Sequence, residues 1–203
     1  MRIGVLGYQG GVYEHVYMLR RTFDRLGVHG EAVVVKKPED LKGLDGVIIP
    51  GGESTTIGIL AKRLGVLEPL REQVLNGLPA MGTCAGAIIL AGKVRDKVVG
   101  EKSQPLLGVM RVEVVRNFFG RQRESFEADL EIEGLDGRFR GVFIRSPAIT
   151  AAESPARIIS WLDYNGQRVG VAAVQGPLLA TSFHPELTGD TRLHELWLRL
   201  VKR

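Results

Sequence analysis

Short apolar runs alternate with helical stripes through the first half of the chain. Ile3 to Leu6 is a continuous apolar run closed by Gly7. Val12, Val16, Leu19, Phe23 and Leu26 then recur at steps of four, three, four and three. That spacing marks one face of an amphipathic helix. Ala32 to Val35 and Gly46 to Pro50 read as the second and third strands. Ser54 is placed to cap a helix running through Ile57, Leu60 and Leu64, and Leu78 to Met81 reads as a fourth strand. Continuous apolar strands separated by helices predict a parallel sheet covered on both faces.

The second half changes rhythm. Val109 to Val115 and Phe126 to Ile132 alternate apolar and polar residues, as half-buried strands do. Gly141 to Ile144, Ile158 to Leu162, Val169 to Val174 and Leu178 to Phe183 follow at short spacing, with Asn165-Gly166 as a hairpin turn between two of them. Leu193, Leu196, Trp197 and Leu200 mark a closing amphipathic helix. The expected fold is α/β: a three-layer sandwich with a central, mostly parallel sheet, helices on both faces and antiparallel strands in the second half. No repeat, linker or low-complexity tract interrupts the pattern, so 1–203 reads as a single domain.

Composition adds boundaries. The chain has 203 residues, 44% hydrophobic and 25% charged, enough for a packed core. Its net charge of +4 is scattered apart from Arg116, Arg121 and Arg123, with no aromatic residues interleaved. That argues against a nucleic-acid interface. One cysteine excludes an internal disulfide and suggests a reducing compartment. No apolar run approaches the roughly 20 residues that span a membrane, and the start, Met1 to Gly7, is too short and glycine-broken for a signal peptide. A cytoplasmic protein without membrane contact is expected.

Candidate chemistry sits where strands end, because open α/β sheets bind ligands at the carboxyl ends of their strands. The cysteine lies in Gly82-Thr83-Cys84-Ala85-Gly86, a strand-to-helix junction. Glycines on both sides permit a strained turn and a close substrate approach, and a helix N-terminus favours a reactive thiolate. The competing reading is a small buried hydrophobe. The third strand ends in Pro50-Gly51-Gly52-Glu53-Ser54 and a late strand ends in His184-Pro185-Glu186. If these strands are parallel, the three loops converge. They then supply a nucleophile (Cys84), a base (His184) and an orienting carboxylate (Glu186), with Glu186 on the same side of an extended segment as His184. Backbone N–H groups of Gly52 and Ala85 are the expected oxyanion donors. The Gly51-Gly52 loop lacks the spacing of a nucleotide-binding P-loop. His15, His29 and His194 stand isolated in sequence, so no metal site is expected.

In this order Gly-Gly-Glu-Ser, Gly-x-Cys-x-Gly and His-Pro-Glu resemble the class I (triad) glutamine amidotransferases. The resemblance covers nearly the whole chain. Gly4 to Gly11, Glu14-His15, Pro50 to Thr56, Arg116 to Gln122, Ser125 to Glu127 and Phe143 to Pro147 narrow it to the glutaminase subunit of pyridoxal 5'-phosphate synthase. Ala85 follows that subunit's pattern, where most amidotransferases carry a bulky residue, and Ser146 departs mildly from it.

The resemblance implies a flavodoxin-like glutaminase fold. It implies that Cys84 attacks the side-chain amide of L-glutamine and that His184, oriented by Glu186, protonates the departing ammonia. Gly52, Glu53, Ser54, Arg116, Ile144 and Arg145 would bind glutamine. No cofactor is implied. Ammonia would pass to a (β/α)₈-barrel synthase subunit in a large hetero-oligomer, which makes pyridoxal 5'-phosphate from ribose 5-phosphate and glyceraldehyde 3-phosphate, and Gln9-Gly10-Gly11 would touch that partner. The alternatives are a glutaminase feeding another synthase, a cysteine peptidase, and a non-catalytic module on the same fold.

Overall fold

In the computed structural model, which describes residues 1–97, 100–101 and 103–201, the first part of the chain runs β1 (Arg2–Leu6), α1 (Val12–Leu26), β2 (Glu31–Val35), β3 (Gly46–Ile49), α2 (Ser54–Arg63), α3 (Leu67–Leu75), β4 (Ala80–Thr83) and α4 (Ala85–Leu90). There follow β5 (Ala91–Asp96), β6 (Gly100–Glu101), β7 (Met110–Arg116), β8 (Phe126–Glu131), β9 (Arg138–Phe143), β10 (Ala148–Ala152), β11 (Arg157–Tyr164), β12 (Gln167–Gln175), β13 (Leu178–Thr181) and α5 (Arg192–Val201).

One sheet has the order β2-β1-β3-β4-β13-β12-β10-β7-β5-β6, with β11 on β12; β8 and β9 form a separate antiparallel pair. From β2 to β13 all neighbours are parallel, and β12, β10 and β7 continue it antiparallel. The expected α/β sandwich with an antiparallel second half is therefore the observed fold.

Alternation along the strands sorts side chains into two cores. Val47, Ile49, Ala80 and Ala180 face Ile57, Leu70 and Ile89 of α2, α3 and α4. Ile3, Val5, Ile48, Met81 and Leu179 face Leu19 and Phe23 of α1, Trp197 of α5 and the β8–β9 pair. Trp197 is completely buried, and truncating it to alanine would cost about 3–5 kcal/mol. The β8–β9 pair is fastened by aromatic packing: Phe126 and Phe143 stack at 4.7 Å and 5°, and Phe119 meets Phe143 edge-on at 5.2 Å. Such pairs add roughly 0.5–1.5 kcal/mol each beyond the area they bury.

The turn Asn165-Gly166 has positive φ at both residues (48° and 77°), as a tight hairpin requires. Helix α3 and strands β5, β6 and β10 have no counterpart in the sequence reading. Ser54 does not cap α2; it is the first helical residue. Glu53 is the cap, its carboxylate accepting from the N–H groups of Thr55 (3.2 Å) and Thr56 (2.7 Å). A carboxylate reaches those amides from one position earlier and suits the positive end of the helix.

Candidate active site

Three parallel strands deliver the site. β4 lies between β3 and β13, with Ile49 opposite Gly82 and Thr181 opposite Thr83. The loops after all three strands therefore open at one edge of the sheet. Cys84 follows β4 directly. Its N–H donates to Thr181 O at 2.8 Å, and its carbonyl accepts from Ala87 at 3.1 Å as α4 begins. Between those anchors Cys84 is held at φ 50°, ψ −104°. A non-glycine residue there stores about 1–3 kcal/mol of strain.

The flanking glycines serve packing. A Cβ on Gly82 would come within 2.5 Å of the Gly86 backbone, and one on Gly86 within 1.9 Å of Ile49 O. They let α4 press against β3 and β4, so the close approach read from the sequence is made by the protein's own backbone.

His184 lies beside Cys84 at the cavity floor, both side chains packed against Gly51, and places Nδ1 2.7 Å from Glu186 Oε1 on its other side. Its N–H donates to Val142 O of β9 at 2.9 Å. The segment from Pro185 to Leu187 is one turn of 3₁₀ helix, not the extended segment expected from the sequence. The turn folds the Glu186 carboxylate back beneath the imidazole. Burial alone would lower the His184 pKa, but its interactions with Cys84 and Glu186 carry it up to about 10. Burial would raise Glu186, but the neighbouring His15 and the bond from His184 hold it at about 2.

A cavity of about 260 Å³ opens over Cys84, at the small end of ligand sites. Gly52, Glu53, Ser54, Cys84, Ala85, Arg116, Ile144, Arg145 and His184 line it, so every predicted site residue except Glu186 reaches it. Gly52 has φ 152°, open to glycine alone among the residues, and sits between two committed amides. Gly51 N–H donates to Thr83 Oγ1 and Glu53 N–H to Gln9 Oε1, each at 3.1 Å. Ala85 is the first residue of α4, so its amide has no carbonyl one turn earlier in the helix to pair with.

On the far wall Arg116 donates to Glu53 (2.8 Å), Thr55 (3.2 Å) and Gln104 (2.7 Å). Glu53 is held ionised, at about 2; burial opposes this, and the bonds from Thr56 and Thr55 overcome it. Three lining residues of the described chain have positive φ without being glycine, Cys84, Asn117 and Arg145. Backbone strain of this kind concentrates at functional sites.

Sequence reading missed Gln9, Ile88 and Asn117 on the cavity wall and Gln104 behind it. Gln9 carried a signal, the glycine-rich end of β1, but was read only as a partner contact. Two histidines isolated in sequence meet in the fold. His15 Nδ1 lies 3.1 Å from His194 Nε2, and His15 Nε2 lies 3.1 Å from Thr83 Oγ1 and 3.3 Å from Glu186 Oε2. Both rings are fully buried. Desolvation outweighs the Glu186 charge and lowers the His15 pKa, and it holds His194 at about 3. Both are neutral. Among the described residues no histidine, cysteine and carboxylate cluster has the geometry to hold a metal ion.

A buried thiol beside an imidazole that is itself bonded to a carboxylate is the apparatus of acyl transfer. The sequence profile of the SNO glutamine amidotransferase family matches residues 5–203. The chain belongs to that family. Among curated members of similar sequence, the pyridoxal 5'-phosphate synthase subunit PdxT of Staphylothermus marinus is 59% identical, each chain covered in full. The subunit of that name from Saccharolobus islandicus is 53% identical, again over both full chains. A crystal structure titled glutamine amidotransferase superposes with a TM-score of 0.84 at 47% identity, covering 99% of either chain.

For a member of the SNO family, the departure at position 146 is structurally absorbed. Ser146 is buried, and its Oγ accepts from Ile144 N–H at 3.1 Å. It braces the backbone that carries Ile144 and Arg145 to the cavity. No described helix is long and apolar enough to cross a membrane.

Proposed function

We propose that this chain is the glutaminase subunit of pyridoxal 5'-phosphate synthase, releasing ammonia from L-glutamine in the cytoplasm. The observation that carries the reading is that Cys84 and His184 meet at the floor of a small cavity, with His184 bonded to Glu186 behind it. The Cys84 thiolate attacks the side-chain amide carbon, and the oxyanion that forms is held by the amides of Gly52 and Ala85. His184, protonated in the pair, gives its proton to the departing nitrogen, leaving a thioester on Cys84. His184 then takes a proton from water, which attacks the thioester and frees glutamate. Glu186 stays ionised throughout and fixes the imidazole's orientation.

The opposite wall suits an α-amino acid. Glu53, ionised, faces the α-ammonium group; Arg145, exposed at the rim, and Arg116 offer guanidinium groups to the α-carboxylate. Ser54 and Ile144 complete the glutamine contacts. Ammonia then passes to the (β/α)₈-barrel subunit of a hetero-oligomer, and Gln9-Gly10-Gly11 lies at that junction. The test is ammonia release from glutamine, asparagine and peptides, with and without the co-expressed barrel subunit. Glutamine turnover that rises with the barrel and vanishes in Cys84→Ala is expected. Turnover of peptides instead, or full activity in Cys84→Ala, would overturn the proposal.

A further inference from the structure

Two buried imidazoles stand behind the triad, and the reaction just described uses neither. Their proton positions follow from their neighbours. His194 Nδ1 is buried without a hydrogen-bond partner. A buried N–H donor left unmade costs about 1–3 kcal/mol, whereas an unused ring lone pair is tolerated more readily. The His194 proton therefore sits on Nε2, which donates to His15 Nδ1 across 3.1 Å. His15, accepting at Nδ1, carries its own proton on Nε2. That N–H points between Thr83 Oγ1 at 3.1 Å and Glu186 Oε2 at 3.3 Å, the latter contact longer and short of strict hydrogen-bond geometry. The opposite tautomers would aim a nitrogen lone pair at a buried carboxylate and strand an N–H on His194.

Each target of the His15 proton holds a part of the site. Glu186 Oε2 belongs to the carboxylate whose other oxygen binds His184. Thr83 Oγ1 accepts the Gly51 amide, next to the Gly52 amide proposed for the oxyanion. The first turn of α1 also closes on the carboxylate, since a Cβ on Gly11 would meet Glu186 Oε1 at 2.8 Å.

We propose that His15 is a positioning residue: locked by His194 as the Nε2–H tautomer, it ties the triad carboxylate and the Gly51-Gly52 loop into one rigid frame. The proposal rests on the glutaminase reading for its kinetic consequence, but its tautomer assignment stands apart from it. It gives a polar role to a residue that would otherwise be core filling.

Two measurements test it. In histidine-¹⁵N-labelled full-length protein, long-range nitrogen–proton correlation assigned with His15→Gln and His194→Gln should show both rings neutral and protonated at Nε2. A proton on His15 Nδ1 would overturn the proposal whatever the enzyme's substrate. In the assembled complex, His15→Leu removes the donor while keeping bulk. It should lower kcat for glutamine roughly 10- to 100-fold, with KM changed less than about threefold, as small misplacements of reacting groups do. His15→Gln, whose amide can stand in for the Nε2–H, should recover most of that loss. Equal kcat in His15→Leu and wild type, or a glutamine variant as slow as the leucine one, would overturn the proposal. Wild-type complex that releases no ammonia would instead sink the glutaminase reading and leave the tautomer result to stand or fall alone. Should His15→Leu fail to fold, the spectrum of the wild-type chain still decides.

Discussion

Gly51 has its backbone wedged against the His184 ring: a methyl group on Gly51 would meet His184 Cε1 at 2.3 Å and Nδ1 at 2.9 Å, with Cys84 Cβ at 3.3 Å. The loop after β3 and the base after β13 therefore share one van der Waals boundary. Gly51→Ala must push either the imidazole off Glu186 or the loop off Thr83. Glutaminase kcat/KM is expected to fall at least ~100-fold, with about 1–3 kcal/mol lost in stability from overpacking. Steady-state kinetics beside thermal melting would check both, and near wild-type kcat/KM would contradict the geometry.

Strain at Cys84 separates two inactive variants. Both Cys84→Ala and Cys84→Gly lack the nucleophile, but only glycine relaxes at φ 50°, ψ −104°. Cys84→Gly should be the more stable by about 1 kcal/mol, a rise of roughly 2–4 °C in Tm for a chain of this size. Equal melting temperatures would show that the elbow is not strained.

The thiol–imidazole pair gives stability an alkaline slope. The His184 pKa is raised from 6.5 to about 10 in the fold, so its contribution is complete below pH 6.5 and drains away as pH climbs through 10. Glu186, lowered from 4.5 to about 2, contributes fully above pH 4.5 and is lost as pH falls toward 2. His15 and His194, with lowered pKa values, cost stability as pH falls below 6.5, so stability should be greatest near pH 6.5 and decline toward pH 10. Because the neighbouring Cys84 is one of the causes raising His184, Cys84→Ala should flatten the alkaline decline. Urea midpoints across pH for both proteins would reveal it.

Arg116 is the hub of the wall opposite Cys84, joining Glu53, Thr55 and Gln104. Arg116→Leu frees Glu53 to move and should raise KM for glutamine at least ~10-fold while changing kcat less, the signature of lost ground-state binding. Gln104→Ala should follow in the same direction with a smaller effect. A pure kcat defect would place Arg116 in the chemistry instead.

Much of this could be read from the chain because the relevant signals are local. The steps of Val12, Val16, Leu19, Phe23 and Leu26 match α1, and Asn165-Gly166 turns where its backbone preference dictates. The three strand-end motifs met because parallel strands place their ends together. What stayed hidden depends on distant partners. β10 is short and buried at only one end, and pairing with β7 and β12 decides it. α3 has Pro69 in its first turn, tolerated there because its N–H would be unpaired anyway. His15 and His194 are 179 positions apart, so no spacing rule connects them. Ser54 lost the capping position because Glu53, one residue earlier, reaches the same amides with a charge.

Strand β9 is a small element with three attachments. Val142 O takes the His184 amide, the Cys84 thiol points 3.8 Å from Ile144 O just beyond the strand, and Arg145 follows at the cavity rim. The β8–β9 pair is thus mechanically in series with the base, the nucleophile and the rim. A load borne on its outer surface is shared among all three, so disturbance of this two-stranded flap is transmitted as a change of alignment and not merely of stability.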